Sequence, residues 1–244
     1  MINKKFSLVA LLRGLAFNLF IVLAIFFYGA PLLILGLLFR KKLIFKRIPG
    51  FFDLLYKILG VELVVEGKEH KQGNQAYLVL SNHQSYLDIP IIMKAVGSIS
   101  FLAKIEIRSW FLFGLAMDQM DCIFVDRTDS ASRRSVGPRM LGKIREGISY
   151  CVFPEGTRTR TGQIQEFKKG IFTIAKGSGI PILPVTICGA FNVLPRKSKQ
   201  MYSGSIRCII HPPVNPPDFA TTDELLAFVE STVRQPLKSS TESA

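Results

Sequence analysis

Between residues 61 and 233 the chain alternates short apolar runs with longer mixed ones, and few folds accommodate that rhythm. Val61–Val65, Ala76–Leu80, Ile99–Ala103, Cys122–Val125, Tyr150–Phe153, Ile182–Ile187 and Ile206–Ile210 are four to six residues long and dominated by apolar side chains. Their length and composition read as buried strands. Ile89–Val96, Trp110–Met117, Ser130–Glu146, Lys169–Lys176 and Glu224–Val233 read as helices. The expected fold class is α/β, a mixed sheet flanked by helices. Gly137-Pro138 is expected to break or kink one helix, and Pro184 to interrupt one strand. No internal repeat is present.

The first 60 residues have a different character. Gly14 to Phe39 is a run of 26 residues without a charge, longer than the roughly 20 needed to cross a hydrocarbon core. It is too long for a secretory h-region and lacks a small-residue exit before Arg40-Lys41-Lys42. It is therefore read as a retained, membrane-associated helical segment, either spanning or re-entrant, with Pro31 as a possible kink. Basic residues 40, 41, 42, 46 and 47 outweigh 4, 5 and 13, which puts the rest of the chain on the cytoplasmic side. Leu43–Leu59 mixes apolar and basic residues around Pro49-Gly50, and reads either as an interfacial segment or as core helices. The expected organisation is an anchoring region over 1–60, an α/β domain over 61–236 and a polar tail over 237–244.

Charge follows the same division. Of the net +13, +8 lies in residues 1–60, beside the most apolar part of the chain. That placement favours an anionic membrane surface as partner over nucleic acid, which needs basic and aromatic residues interleaved on one face. Cysteines 122, 151, 188 and 208 form no CxxC pair, and histidines 70, 83 and 211 lie far apart, so neither zinc nor a disulfide framework is suggested. Cys151 and Cys188 read as buried thiols. No metal or bound cofactor is expected.

Polar residues gather just after the apolar strands. His83 follows one strand and Asp88 opens the next helix, a spacing at which a carboxylate can fix the imidazole's tautomer and leave its other nitrogen as a base. Lys104 and Arg127 follow two further strands. Glu155-Gly156-Thr157-Arg158 follows a fourth. Ligands of open α/β sheets bind outside the carboxyl ends of the strands, so these groups share one cleft if the strands are mostly parallel. Arg127 suits either a surface ion pair or a phosphate clamp. Gly156 and Thr157 suit a tight turn offering backbone N–H groups to an oxyanion, with Arg158 as a fixed cation. Lys168-Lys169 and Arg196–Lys199 read as solvated faces. There is no GxSxG elbow, Walker A loop, HExxH or GxGxxG, and nothing around Ser85 marks it as a nucleophile. The remaining chemistry is a base acting on a hydroxyl that the substrate brings.

Four blocks in this order resemble those of the glycerolipid acyltransferase family, in particular its bacterial 1-acyl-glycerol-3-phosphate acyltransferases. They are Asn82-His83-Gln84-Ser85-Tyr86-Leu87-Asp88 (NHxxxxD), Ile123–Arg127, Phe153-Pro154-Glu155-Gly156-Thr157-Arg158 and Pro181–Val185. The resemblance implies that His83 is the general base and Asp88 orients it. It assigns acceptor-phosphate binding to Arg127, Glu155, Gly156 and Arg158, with Thr157 in the same block and Lys104 as a further phosphate contact. Asp121 stands where the second block often begins with glycine, which would bring a carboxylate into an anion-binding neighbourhood. The implied partners are a lysophospholipid acceptor and an acyl thioester, either acyl-CoA or acyl-carrier protein. The implied place is the cytoplasmic side of a bacterial inner membrane. Other acceptors (glycerol-3-phosphate, another lysophospholipid or a lyso-aminolipid) stay open, as does a non-catalytic lipid-binding role. The acyl chain needs an apolar groove, for which residues 110–117 or the N-terminal segments are candidates.

Overall fold

The computed structural model describes residues 7–24, 52–53, 56–57 and 59–242. In chain order the elements are helix α1 (Leu8–Ala24), strands β1 (Val61–Glu66) and β2 (Leu78–Ser81), α2 (Asp88–Val96), β3 (Ile99–Lys104) and α3 (Phe111–Gln119). Then come β4 (Ile123–Val125), α4 (Ser130–Arg145), β5 (Ser149–Val152), α5 (Lys169–Ser178), β6 (Ile182–Cys188), the single turn α6 (Ala190–Val193), β7 (Gly204–Ile210) and α7 (Thr222–Glu242). Seven strands form one sheet in the order β1-β7-β6-β2-β5-β3-β4. β6, β2, β5, β3 and β4 run parallel to one another, whereas β7 is antiparallel to β6 and carries β1 parallel to itself.

The central strands are buried on both faces, which is why β2 and β6 read as unbroken apolar runs rather than alternating ones. Alternation survives in where each side chain goes. Val79, Cys151, Leu183 and Val185 enter one core with Ile91, Ile92 and Val96 of α2. Leu78, Leu80, Tyr150 and Ile182 enter the other, with Met140 of α4, Phe172 of α5, and Leu225 and Val229 of α7. The result is a helix–sheet–helix sandwich. Each of these fully buried aliphatic side chains contributes roughly 1.5–3 kcal/mol.

Two prolines do less damage than the sequence suggests. α4 runs unbroken through Pro138, because Pro138 and Arg134, whose carbonyl loses its partner, both lie on the exposed face and water can take the freed group. Gly137 faces inward, where a Cβ would come within 3.1 Å of Ile174, so it sets the close approach of α4 to α5. Pro184 sits inside continuous β6. Its carbonyl accepts from the His211 amide at 3.0 Å, on the side where pairing with β7 begins only at Val185. The missing N–H costs one bond of the Pro184–His211 pair, at the end of the ladder with β7.

At the N-terminus only the first part of the expected membrane-associated segment is described. α1 begins at Leu8, is 17 residues long and lies with one face against the α/β domain. The Met201 amide donates to Ala10 O at 2.9 Å, and Phe17 and Phe20 pack on the core. Its other face, Leu8, Leu12, Leu15, Leu19 and Leu23, is exposed. No helix among the described residues is long and apolar enough to cross a membrane. Residues 25–51, which hold the rest of the charge-free run and most of the interfacial segment, lie outside the described residues. At the other end α7 continues through Pro236 to Glu242, past the last apolar residue that its core-facing spacing requires.

Candidate active site

Five parallel strands deliver their carboxyl ends to one edge, and the polar residues named above follow those ends. β2 leads into His83. Asn82 extends the sheet with its side chain: its Nδ2 donates to Ile187 O and its Oδ1 accepts from Ile187 N, each at 2.8 Å. The chain then turns sharply so that Asp88 becomes the first residue of α2, where a carboxylate suits the helix N-terminus. Asp88 is fully buried. Its Oδ2 accepts from the backbone amides of Gln84 (2.6 Å) and Ser85 (2.8 Å) and meets His83 Nδ1 at 2.6 Å.

Those bonds set the tautomer. An oxygen already accepting two amides is a carboxylate acceptor, so in the neutral imidazole Nδ1 is the protonated nitrogen and Nε2 carries the free lone pair. The ring stacks on Phe153, with centroids 3.8 Å apart and planes 11° apart. It keeps 17% of its side-chain surface exposed, enough for a substrate to reach Nε2. Asp88 Oδ1 and the Tyr56 hydroxyl are both buried without a hydrogen-bond partner among the described residues. The charge of Asp88, after burial itself, raises the Tyr56 phenol's pKa.

Glu155 acts on the chain. Its Oε1 accepts from the His83 amide (2.6 Å) and its Oε2 from the Gln165 amide (2.8 Å). It is 3% exposed, and burial pushes its pKa from 4.5 up to about 7. Both oxygens are thus engaged by backbone amides. Thr159 N donates to His83 O at 2.9 Å, so the NHxxxxD loop and the 153–165 loop are stitched together from both sides.

The Gly156 turn also departs from expectation. Its N–H closes the turn on Phe153 O at 2.9 Å and is not offered to a ligand. What glycine supplies is a left-handed backbone (φ 74°) and room, since a Cβ would lie 2.8 Å from Lys168 Nζ. Arg127, exposed after β4, donates from Nη1 to Gly156 O at 3.0 Å. Thr157 Oγ1 accepts from Arg196 at 3.1 Å. The Arg158 guanidinium lies 3.5 Å over the exposed Tyr86 ring, a cation–π seat. Its Nη1 is buried with no partner among the described residues. Lys104 ends β3 in register with Val125 of β4 and is exposed.

Asp121 is not among these groups. It precedes β4 whereas Arg127 follows it, so the two lie at opposite edges of the sheet. Its carboxylate faces Lys143 at 3.5 Å and its carbonyl accepts from the Tyr150 hydroxyl. A left-handed backbone (φ 55°) explains why glycine suits that position, and aspartate is one of the residues that tolerate it.

This arrangement puts the His83 imidazole on the same sheet edge as Lys104, Arg127 and Arg158. A family model described as Acyltransferase matches residues 62–188, all of the strands from β1 to β6. The chain belongs to the acyltransferase family. It is 34% identical over 192 residues, 73% of this chain and 71% of the relative, to a probable 1-acyl-sn-glycerol-3-phosphate acyltransferase of Mycoplasma pneumoniae. It is 31% identical over 175 residues, 71% of this chain and 62% of the relative, to the human 1-acyl-sn-glycerol-3-phosphate acyltransferase alpha. The crystal structure of the 1-acyl-sn-glycerophosphate (LPA) acyltransferase PlsC from Thermotoga maritima superposes with a TM-score of 0.85 at 31% identity, covering 94% of this chain and 95% of that one.

Sequence reasoning missed three contributors to this acyltransferase site. Lys168 and Arg196 sat in basic runs that read as solvated, and Tyr86 carried no signal beyond its place inside the NHxxxxD block. Ser85, fully buried, gives its hydroxyl to Leu194 O at 2.8 Å, a structural bond.

Proposed function

We propose that this chain transfers a fatty acyl group from an acyl thioester to the free hydroxyl of 1-acyl-glycerol-3-phosphate, forming phosphatidate in phospholipid biosynthesis. The observation that carries the reading is the His83 Nδ1–Asp88 Oδ2 bond of 2.6 Å, which leaves Nε2 as base on the sheet edge that also bears Arg158, whose buried Nη1 has no partner among the described residues. His83 Nε2 takes the hydroxyl proton and the alkoxide oxygen attacks the thioester carbonyl. The carbon–sulfur bond then breaks, and the thiolate recovers the proton from the imidazolium. Arg158, Arg127 and Lys104 hold the acceptor's phosphate, and Glu155, Gly156 and Thr157 keep the turn that presents Arg158 in shape. The step needs only the two substrates and these side chains.

Acyl-CoA and acyl-carrier protein both fit as donor. The exposed apolar face of α1 and the basic residues near it support seating on an anionic membrane surface, at the inner membrane with the α/β domain on the cytoplasmic side. There both lipidic substrates are concentrated and aligned. α1 and residues 110–117 supply apolar surface for the acyl chain.

The test is transfer of labelled acyl groups from each donor to lysophosphatidate, glycerol-3-phosphate, lysophosphatidylethanolamine and a lyso-aminolipid, with His83→Ala beside the parent protein. Label in phosphatidate, lost by more than about a hundredfold in the folded His83→Ala protein, is expected. Label on an unphosphorylated acceptor instead would reassign Arg127 and Arg158.

A further inference from the structure

Residues 194–203, between α6 and β7, form a strap held at three places. At its start, Leu194 O accepts from Ser85 Oγ at 2.8 Å, inside the NHxxxxD block. Near its middle, half-buried Arg196 donates from Nη1 to Thr157 Oγ1 (3.1 Å) and to Arg158 O (2.9 Å). At its far end it carries α1. Gln200 Oε1 accepts from the Ser7 amide (3.3 Å), Arg13 donates to Ser203 Oγ (3.0 Å), and a Cβ on Gly14 would fall 1.9 Å from Lys199 O. Left-handed Lys197 (φ 63°) and the Ser198–Gln200 bonds fix the bend between the last two places.

We infer that Arg196 is a positioning residue for Arg158, and that this strap ties the seat of α1 to the turn that presents Arg158. The inference rests on Arg158 being a ligand of the acceptor's phosphate. Arg127 holds Gly156 O and Arg196 holds the next two residues, so the peptide units beneath Arg158 are pinned by cations 29 and 38 residues away in sequence. Gathering like charges around one turn is unfavourable until an anion is bound. A guanidinium on two uncharged acceptors acts there as a clamp, and the charge it adds favours the anion as well. Gly14 permits α1 to lie directly on the strap. Any larger residue there must displace the Lys199 peptide or the helix.

The test is steady-state kinetics of the detergent-purified full chain, varying 1-acyl-glycerol-3-phosphate and the acyl donor separately. Arg196→Ala is expected to raise the acceptor KM about tenfold, the loss of a charge-assisted hydrogen bond, with the donor KM within about twofold. Arg196→Lys is expected to recover part of this, and Arg158→Ala/Arg196→Ala to be no weaker than Arg158→Ala alone. Gly14→Ala is expected to raise the acceptor KM in the same selective way while the protein stays folded by circular dichroism. An unchanged acceptor KM in Arg196→Ala, beside a raised one in Arg158→Ala, overturns the inference alone. Additive losses in the double variant overturn it too, making Arg196 a phosphate ligand. An unchanged acceptor KM in Arg158→Ala removes the phosphate reading and this inference with it. A folded Gly14→Ala protein with parental kinetics severs α1 from the strap's role.

Discussion

The proposed base and the proposed anion-binding turn are built in opposite ways. The base is local: Asp88 holds His83 from five residues away, with two amides of the same loop fixing the carboxylate. Phe153, Glu155 and Thr159 reach His83 from outside the block. The turn at Pro154–Arg158 is held from afar: Arg127 donates to Gly156 O, Arg196 to Thr157 and Arg158, and the Lys168 amide to Pro154 O. The base is therefore complete before substrate arrives. The turn keeps a donor, Arg158 Nη1, that has no partner among the described residues. On the proposed function, local geometry sets the rate of chemistry, and long-range geometry sets which acceptor is held.

Substitutions can break this contrast. The largest effect is expected for Asp88→Asn. An amide in that buried position can meet one loop N–H donor to donor and offers the imidazole no anion, so kcat should fall by about 10³ with little change in either KM. A selective KM effect would place Asp88 among the binding groups. Arg158→Ala should do the reverse, raising the acceptor KM about tenfold to a hundredfold and leaving the donor KM nearly unchanged. Equal changes for both substrates would end its role as an acceptor ligand.

Glu155 joins the two regions, and its variant should be the mildest. Glu155→Gln exchanges one acceptor oxygen for a donor, so either the His83 or the Gln165 amide loses its partner. A fall in kcat of about tenfold, with both KM values near those of the parent, is expected. The pH dependence is a sharper check. A carboxyl whose folded pKa is raised from 4.5 to about 7 makes the folded chain bind a proton more tightly than the unfolded one. Its contribution to stability is complete below the lower value and is lost as pH rises through the upper one. Urea midpoints should decline across that window in the parent, and Glu155→Gln should flatten the slope. An unchanged slope would mean another group carries it.

How far the sequence reached follows from the same contrast. Seven strands and five helices were legible because burial on both faces of a parallel sheet leaves continuous apolar runs, and because α2, α4, α5 and α7 keep a helical apolar spacing. His83 and Asp88 were legible for a similar reason, since a six-residue unit carries its own geometry. Pro138 and Pro184 misled, because whether a lost N–H matters depends on which neighbour it would have faced. The charge-free run said nothing of the seat of α1 on the domain, because Gly14 and Ala10 show their contact only against the strap; residues 25–39 of that run lie outside the described residues.

The sequence by itself determined the alternation of elements, the pairing of His83 with Asp88, and the family to which four short blocks belong. Each of these is written in residues close together in the chain. Only the tertiary structure decided that five strand ends share an edge, and that Asp121 lies at the opposite one. It alone showed that Glu155 accepts from two backbone amides, and that Arg196 donates to Thr157 and Arg158. Those facts depend on strand order and on contacts across 29 to more than 100 residues, for which no local pattern is required.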